Sequence, residues 1–273
     1  MTLNRKKRWI ASLIGGTLMF LAFPFSGTLT PLIFIGIIPL IIVEASISEQ
    51  GKSSLNIFTH SLICFLVFNI GTSWWLWNAS AGGAIFAFLF NTVVMSLVFQ
   101  AFHITKKHVG SKQGYLSLPF YWLGFEYLHN HWEFAHPWLS LGNTFSERVS
   151  WIQWYEYTGV SGGSLWVILV NIIGYFVFRN FKNKKNLRPV VLICITSIII
   201  PIAVSLYVES RFNNGQKLIT SANEIETLMI QPNIDPYNEK FDRGSFYKQN
   251  QKILKLASEK INSKTDLIVA PET

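Results

Sequence analysis

Charged residues are scarce in this sequence. Only 14% of its 273 residues are Asp, Glu, Lys or Arg, against about a quarter in ordinary soluble domains. Four stretches contain none of them, namely residues 9–43, 53–105, 157–178 and 189–208. An apolar run of about 20 residues can cross a bilayer as a helix, because a helix satisfies its own backbone polar groups. The deficit therefore predicts a polytopic α-helical membrane bundle.

Cysteine is also scarce. The only two, Cys64 and Cys194, both fall within apolar runs. They cannot form a disulfide framework or a Cys-x-x-Cys metal pair, so we expect two buried packing residues. The sequence gives no cofactor motif, and we expect no cofactor.

The apolar runs predict about seven membrane spans. The first helix follows the basic segment Arg5–Arg8, which also fits a secretory signal peptide. No small-residue cleavage site follows, so an uncleaved first span is favoured. The predicted spans cover roughly residues 9–24, 29–45, 55–77, 82–105, 114–130, 160–179 and 189–208.

The distribution of lysine and arginine predicts the orientation, because positive loops stay in the cytoplasm. With a cytoplasmic N-terminus, the inner segments hold 13 basic residues and the short outer loops hold only Arg148. Everything after about residue 207 is then expected on the outer side. The net charge of +8 follows from this pattern, so we expect no nucleic-acid partner.

The chain becomes polar after the last predicted span. We divide it into a transmembrane domain, residues 1–210, and the start of a soluble domain, residues 211–273. Strands are predicted at 226–234 and 266–270 with a helix at 246–261 between them, which is typical of a βαβ unit with parallel strands. Glu272 follows the second strand, where catalytic groups collect in open α/β sheets. The pattern alone is more typical of a surface glutamate in a turn.

Several segments resemble one enzyme family. The strand ending in Pro271-Glu272 resembles the first catalytic strand of the nitrilase superfamily. Together with the membrane region, it resembles the apolipoprotein N-acyltransferases, which are inner-membrane enzymes with a periplasmic nitrilase-like domain. The segments that carry the resemblance are Phe23-Pro24, residues 71–77, Pro119 with Trp122 and Glu126, Pro137-Trp138 with Gly142, residues 158–164 with Asn171, and Gln231-Pro232-Asn233. The last of these departs from the family pattern, because Pro232 replaces the usual glycine.

The resemblance implies a reaction, its partners and a location. An acyl chain passes from a phospholipid to a cysteine thiolate and then to the α-amine of a diacylated lipoprotein, with Glu272 as the general base of a Glu-Lys-Cys triad. The lysine and the cysteine would lie downstream, so we expect an N-terminal portion with a truncated nitrilase-like domain that is inactive alone. We expect a monomer in the bacterial inner membrane, with the soluble domain in the periplasm.

Other residues are weaker candidates. For substrate binding they are Gln231, Asn233, Phe241, Trp138 and Glu126. A carboxylate within a membrane span, such as that of Glu126, is costly and therefore suggests a function. A hydrogen bond between helices would explain its presence equally well. The spacing of His129, His131 and His136 fits no common zinc pattern, so we expect no metal.

Two other functions fit parts of the pattern. A membrane-tethered nitrilase-like amidase would use the same triad with water as the acceptor. A non-catalytic membrane binding or transport protein would instead be expected to show internal repeats and several intramembrane charges. No repeat is seen, and Glu126 is the only clear charge deep within a predicted span.

Overall fold

The computed structural model describes residues 2–24, 26–216, 225–235, 239–240 and 244–271; for residues 112 and 213–216 it describes the backbone alone. The chain divides into two compact units, Met1–Phe212 and Asn213–Thr273. The first is helical and the second is a small α/β unit.

Eight α-helices are seen in the described residues before position 217. Their bounds are Arg5–Ala22 (α1), Ile33–Gly36 (α2), Ile38–Glu49 (α3), Leu55–Ser73 (α4), Ala81–Val109 (α5), Ser111–His129 (α6), Tyr155–Lys182 (α7) and Arg188–Gln216 (α8). Short 3₁₀ helices occupy Thr30–Leu32, Trp74–Asn78, Pro137–Leu139, Leu141–Phe145 and Val149–Trp151. Helix α7 changes direction at Gly159, whose φ of 63° is not helical.

Five segments of the described chain are long and apolar enough to cross a membrane, which supports a helical membrane bundle. They are Thr30–Glu49, Leu55–Asn78, Ala81–Val109, Tyr155–Lys182 and Arg188–Phe212. The predicted count of seven is not confirmed, because α1 starts with four basic residues and α6 has a polar first turn. Both helices nevertheless belong to the bundle, since α1 packs along α4 and α6 along α5.

The apolar segment Thr30–Glu49 is broken between α2 and α3. Pro39 lies in the first turn of α3; it has no N–H, and its ring clashes with the carbonyl four residues back. The amide of Asn171 on α7 fills the gap. Its Oδ1 accepts from Ile37 N at 2.9 Å, and its Nδ2 donates to Ile33 O at 2.8 Å. These two backbone groups would bond to each other in an unbroken helix.

Glycine allows the first helices to approach closely. A Cβ on Gly16 of α1 would lie 2.8 Å from Val67 Cβ on α4, and one on Gly36 of α2 would lie 2.8 Å from Met19 Cγ. Small residues at such contacts are typical of membrane helices, where close packing replaces the hydrophobic effect as the driving force. The largest fully buried side chains of the unit include Trp122, Phe65, Phe68, Phe99, Phe102 and Phe145.

The two ends of the bundle differ in composition. One end of the bundle is the end at which α1 and α4 finish, and we call it the tryptophan-rich end. It carries Trp74, Trp75, Trp77, Trp132, Trp138, Trp151 and Trp154. The opposite end is the end at which α3 and α5 finish, and we call it the lysine-rich end. It carries Lys52, Lys106, Lys107 and the basic starts or ends of α1, α7 and α8.

A buried ionic cluster lies near the lysine-rich end. The Glu44 carboxylate is fully buried and forms an ion pair with Lys106 Nζ. Its Oε1 lies 2.8 Å from His103 Nδ1 and accepts from Ser48 Oγ at 2.8 Å. Glu44 and Lys106 are therefore two further buried charges besides Glu126; they lie near the end of the bundle and neutralise each other.

The second unit contains two parallel strands. Strand β1 (Glu226–Met229) pairs with β2 (Thr265–Val269), and helix α9 (Ser245–Lys260) lies between them in the chain. Leu228 pairs with Ile268, and Ile230 N extends the ladder by donating to Val269 O at 2.9 Å. The expected strand, helix and strand are present, and their assignment to a nitrilase-like domain stays a prediction.

We expect Asn171→Ala to destabilise the helical unit by about 2 kcal/mol, because two buried backbone groups lose their partners. The effect is measured as a shift of the unfolding midpoint in a denaturing-detergent titration. Asn183→Ala, at the exposed end of α7, is the matched control and should leave the midpoint unchanged. Equal midpoints for the two variants would contradict the bridging role of Asn171.

Candidate functional site

An open groove lies at the tryptophan-rich end. It has a volume of about 670 Å³, within the range of about 300–1,000 Å³ typical of small-molecule sites. Three segments meet in it, namely the end of α1, the end of α4 and the loop before α7. Its lining residues are Phe23, Pro24, Thr72, Ser73, Trp74, Trp75, Trp138, Leu139, Asn143 and Ser146.

Aromatic rings form one wall of the groove. The rings of Trp75 and Trp138 lie 5.9 Å apart at 84°, an edge-to-face pair. Both side chains remain exposed, Trp138 by 57% of its surface. Exposed tryptophans at a bundle end are typical of a membrane–water interface, where the ring contacts lipid and the indole N–H stays hydrated. The wall therefore suits an amphiphilic ligand.

A neutral polar pair lies behind this wall. His136 Nε2 lies 3.3 Å from Ser73 Oγ, and both residues are buried. Burial, with a smaller contribution from nearby His129, lowers the pKa of His136 to about 4. The imidazole is therefore uncharged at neutral pH, and the pair offers a hydrogen bond rather than a cation. Among the described residues, no three His, Cys, Asp or Glu side chains converge as metal ligands would.

Glu126 fixes the loop that supplies the other wall. Its carboxylate is buried, and Oε1 accepts from Leu141 N at 2.9 Å and from Trp122 Nε1 at 3.0 Å. The loop that Glu126 holds carries the groove residues Leu139 and Asn143. Glu126 thus has a structural partner in a loop amide, and its role in substrate binding stays a prediction.

Two glycines allow this loop to lie against α7. Gly142 N donates to Ser164 Oγ at 2.9 Å, and Tyr155 Oη donates to Gly142 O at 2.9 Å. A Cβ on Gly163 would run into the Tyr155 hydroxyl and would lie 3.0 Å from Gly142 Cα. This contact gives a physical reason for the glycines in the segments that resemble family motifs.

The remaining predicted site residues belong to the α/β unit. Gln231 and Asn233 follow β1 and are exposed, and Gln231 Nε2 donates to Asn233 Oδ1 at 3.2 Å. Pro271 follows β2, so the parallel pairing brings both segments to the same edge of the sheet. Glu272 and Phe241 lie outside the described residues, and their roles stay predictions.

Sequence reasoning named Trp138 but missed other residues of the groove. Ser73 and Asn143 carry no catalytic motif, and the partner of Ser73, the buried His136 behind the aromatic wall, lies 63 residues away in the chain. The available signal was indirect, because the segments that contain Ser73 and Trp138 both resemble motifs of one family.

Comparison with known proteins identifies that family. The family model of the apolipoprotein N-acyltransferase N-terminal domain matches residues 15–173. The apolipoprotein N-acyltransferase of Chlorobaculum tepidum is 26% identical over 270 residues, which cover 98% of this chain and 49% of that protein. The enzyme of the same name from Geobacter metallireducens is 23% identical, with 98% of this chain and 51% of that protein covered. The chain spans about half the length of these curated relatives, and it belongs to the apolipoprotein N-acyltransferase family.

Proposed function

We propose that the whole protein transfers an acyl chain from a phospholipid to the α-amine of the diacylglyceryl-cysteine of lipoproteins. The groove at the tryptophan-rich end carries the proposal, because it combines an aromatic wall with neutral hydrogen-bonding groups. Both relatives bear the name of that activity. A phospholipid and the lipid-modified end of a lipoprotein are both amphiphiles of the kind that such a wall suits.

The reaction takes two steps. A cysteine thiolate attacks the acyl ester of the phospholipid; a thioester forms, and the lysophospholipid leaves with a proton. The α-amine of the lipoprotein then attacks the thioester and loses a proton to the base; an amide forms, and the cysteine leaves as the thiolate. A thiol reacts only after deprotonation, and Glu272 is the proposed base that takes this proton and returns it to the leaving group. A lysine of the triad would stabilise the oxyanion.

The nucleophile is not one of the cysteines in this chain. Cys64 is fully buried in the bundle, and Cys194 lies within α8, a segment apolar enough to span the membrane. The family resemblance instead implies a cysteine of the nitrilase-like domain. The proposed contribution of this chain is the membrane unit, the lipid groove and the base.

The proposed orientation follows from the basic residues at the lysine-rich end. We assign that end to the cytoplasm and the tryptophan-rich end to the periplasmic face of a bacterial inner membrane. Helices α1 and α6 complete the proposed count of seven spans. The groove then opens to the leaflet and the compartment in which both substrates meet the soluble domain.

Glu272→Gln in the whole protein is expected to lower acyl transfer by about 10²–10⁴-fold, the usual contribution of a general acid–base residue. The rate at which diacylated lipoprotein is converted to triacylated lipoprotein in proteoliposomes measures this activity. Glu259→Gln, on the exposed side of α9, is the control and should keep full activity. Full activity of the Glu272 variant would overturn its assignment as the base. Release of free fatty acid by the wild type without transfer would favour the amidase alternative.

Trp138→Ala tests the groove. Loss of an aromatic pair worth about 0.5–1.5 kcal/mol should raise the apparent KM for phospholipid by about 2–10-fold and leave kcat nearly unchanged. Trp77→Ala is a close control, because Trp77 is 56% exposed against 57% for Trp138 and does not line the groove. If both variants raise KM equally, the tryptophans act only as interface anchors.

A further inference from the structure

A second, smaller pocket opens at the lysine-rich end. Its volume is about 220 Å³. It lies between the turn that follows α3 and the junction of α5 with α6. The residues that matter for its chemistry are Gly51, Lys52, His103, Lys106, Lys107 and Gly110.

The pocket carries uncompensated positive charge. Lys106 is paired with Glu44, and His103 lies between Glu44 and Ser54, 3.2 Å from Ser54 Oγ. That cluster is therefore close to neutral. Lys52 and Lys107 are exposed, and neither has an ion-pair partner among the residues that the structure describes. Two free ammonium groups thus face an anion that enters the pocket.

The backbone adds to this charge. Helix α6 begins at the rim of the pocket, and none of the side chains that the structure describes caps its first N–H groups. The start of a helix carries a partial positive charge and free donors, which favour an anion. A Cβ on Gly51 or Gly110 would meet nothing within 4 Å, so the space in front of both turns is open.

The size and the surroundings of the pocket favour a lipid headgroup. A volume of 220 Å³ lies below the range of about 300–1,000 Å³ for sites that enclose a drug-sized ligand, so the pocket admits a headgroup but not a whole lipid. Exposed apolar side chains flank it along the chain: Leu55 is 67% exposed and Val109 is 49% exposed. Acyl chains can lie against these residues while the phosphate reaches the lysines.

We propose that this pocket binds the phosphate of an anionic phospholipid, with Lys52 and Lys107 as its charged contacts. The assignment to the cytoplasmic leaflet rests on the orientation in the proposed function. The binding itself does not depend on that orientation or on acyl transfer. Basic residues near an anionic leaflet attract lipid headgroups strongly enough for such a site to be occupied.

The test uses the 273-residue chain in detergent, titrated with dioleoylphosphatidylglycerol and followed by native mass spectrometry. Each lysine near a membrane surface contributes about 1 kcal/mol, or about fivefold in affinity. The double variant Lys52→Gln/Lys107→Gln should therefore bind this lipid about 25-fold more weakly. The charge-preserving variant Lys52→Arg/Lys107→Arg should bind almost as well as the wild type, which separates a charge effect from loss of folding.

A matched control distinguishes a specific binding site in the pocket from general attraction by the positive charge of the lysine-rich end. Lys184→Gln/Lys185→Gln removes the same charge from the lysine-rich end outside the pocket and should leave the affinity unchanged. An equal loss in both glutamine variants, or none in the Lys52/Lys107 pair, overturns the proposal.

Competition with soluble glycerol phosphate tests whether the pocket prefers the phosphate of a lipid or that of a soluble molecule. It should compete only weakly, because it lacks acyl chains. If it displaces the lipid at equal concentration, the ligand is a soluble phosphate and the lipid assignment is wrong. Acyl transfer by the whole protein is assayed separately, so a failure of the proposed function leaves this titration interpretable.

Discussion

The helical unit depends most on one side-chain amide. Asn171 accepts from Ile37 N and donates to Ile33 O, so it replaces a backbone hydrogen bond at the point where Pro39 prevents a continuous helix. No water is available inside a bilayer to satisfy those two groups. The broken segment can therefore keep its bend only while α7 lies beside it. The same amide also donates to Val167 O on its own helix, which holds it rigidly between α7 and the break.

Two buried carboxylates are stabilised in opposite ways, and this gives the bundle two different ends. Near the lysine-rich end, Glu44 is neutralised by Lys106 and hydrogen-bonded to His103, so its cluster adds little net charge. Among the described residues, Glu126 has only neutral donors: the Leu141 N–H, the indole N–H of Trp122 and the Ser164 hydroxyl. A buried ion pair must offset a large desolvation cost, whereas fixed dipoles can hold a single carboxylate in place. The positive charge of the lysine-rich end therefore comes from its exposed lysines, and the buried Glu44 cluster does not cancel it.

Much of the helical unit could be predicted, because its signal is local. The charge-free runs 53–105 and 157–178 correspond to α4, α5 and most of α7. The features that were missed depend on tertiary contacts. The break at Pro39 has a local signal, but its partner on α7 is more than 130 residues away. Glu44 stands just beyond a charge-free run, and its cation comes from Lys106 at the end of α5, 62 residues away in the chain. In the groove, Trp138 was predicted from a motif, while the Ser73–His136 pair joins residues that no periodicity connects.

The α/β unit gives a physical reason why Glu272, the proposed base, needs more than its own strand. Parallel sheets are normally covered on both faces, yet Leu267, Ile268 and Val269 of β2 are each more than 40% exposed within the described residues. A two-stranded sheet is marginal in water without further packing. A general base also gains from a site that excludes water, since its charge interactions are then less screened. The covering of this sheet and the proposed activation of Glu272 are therefore one physical requirement, because elements that cover β2 would also fix the environment in which the proposed base takes a proton from a cysteine thiol.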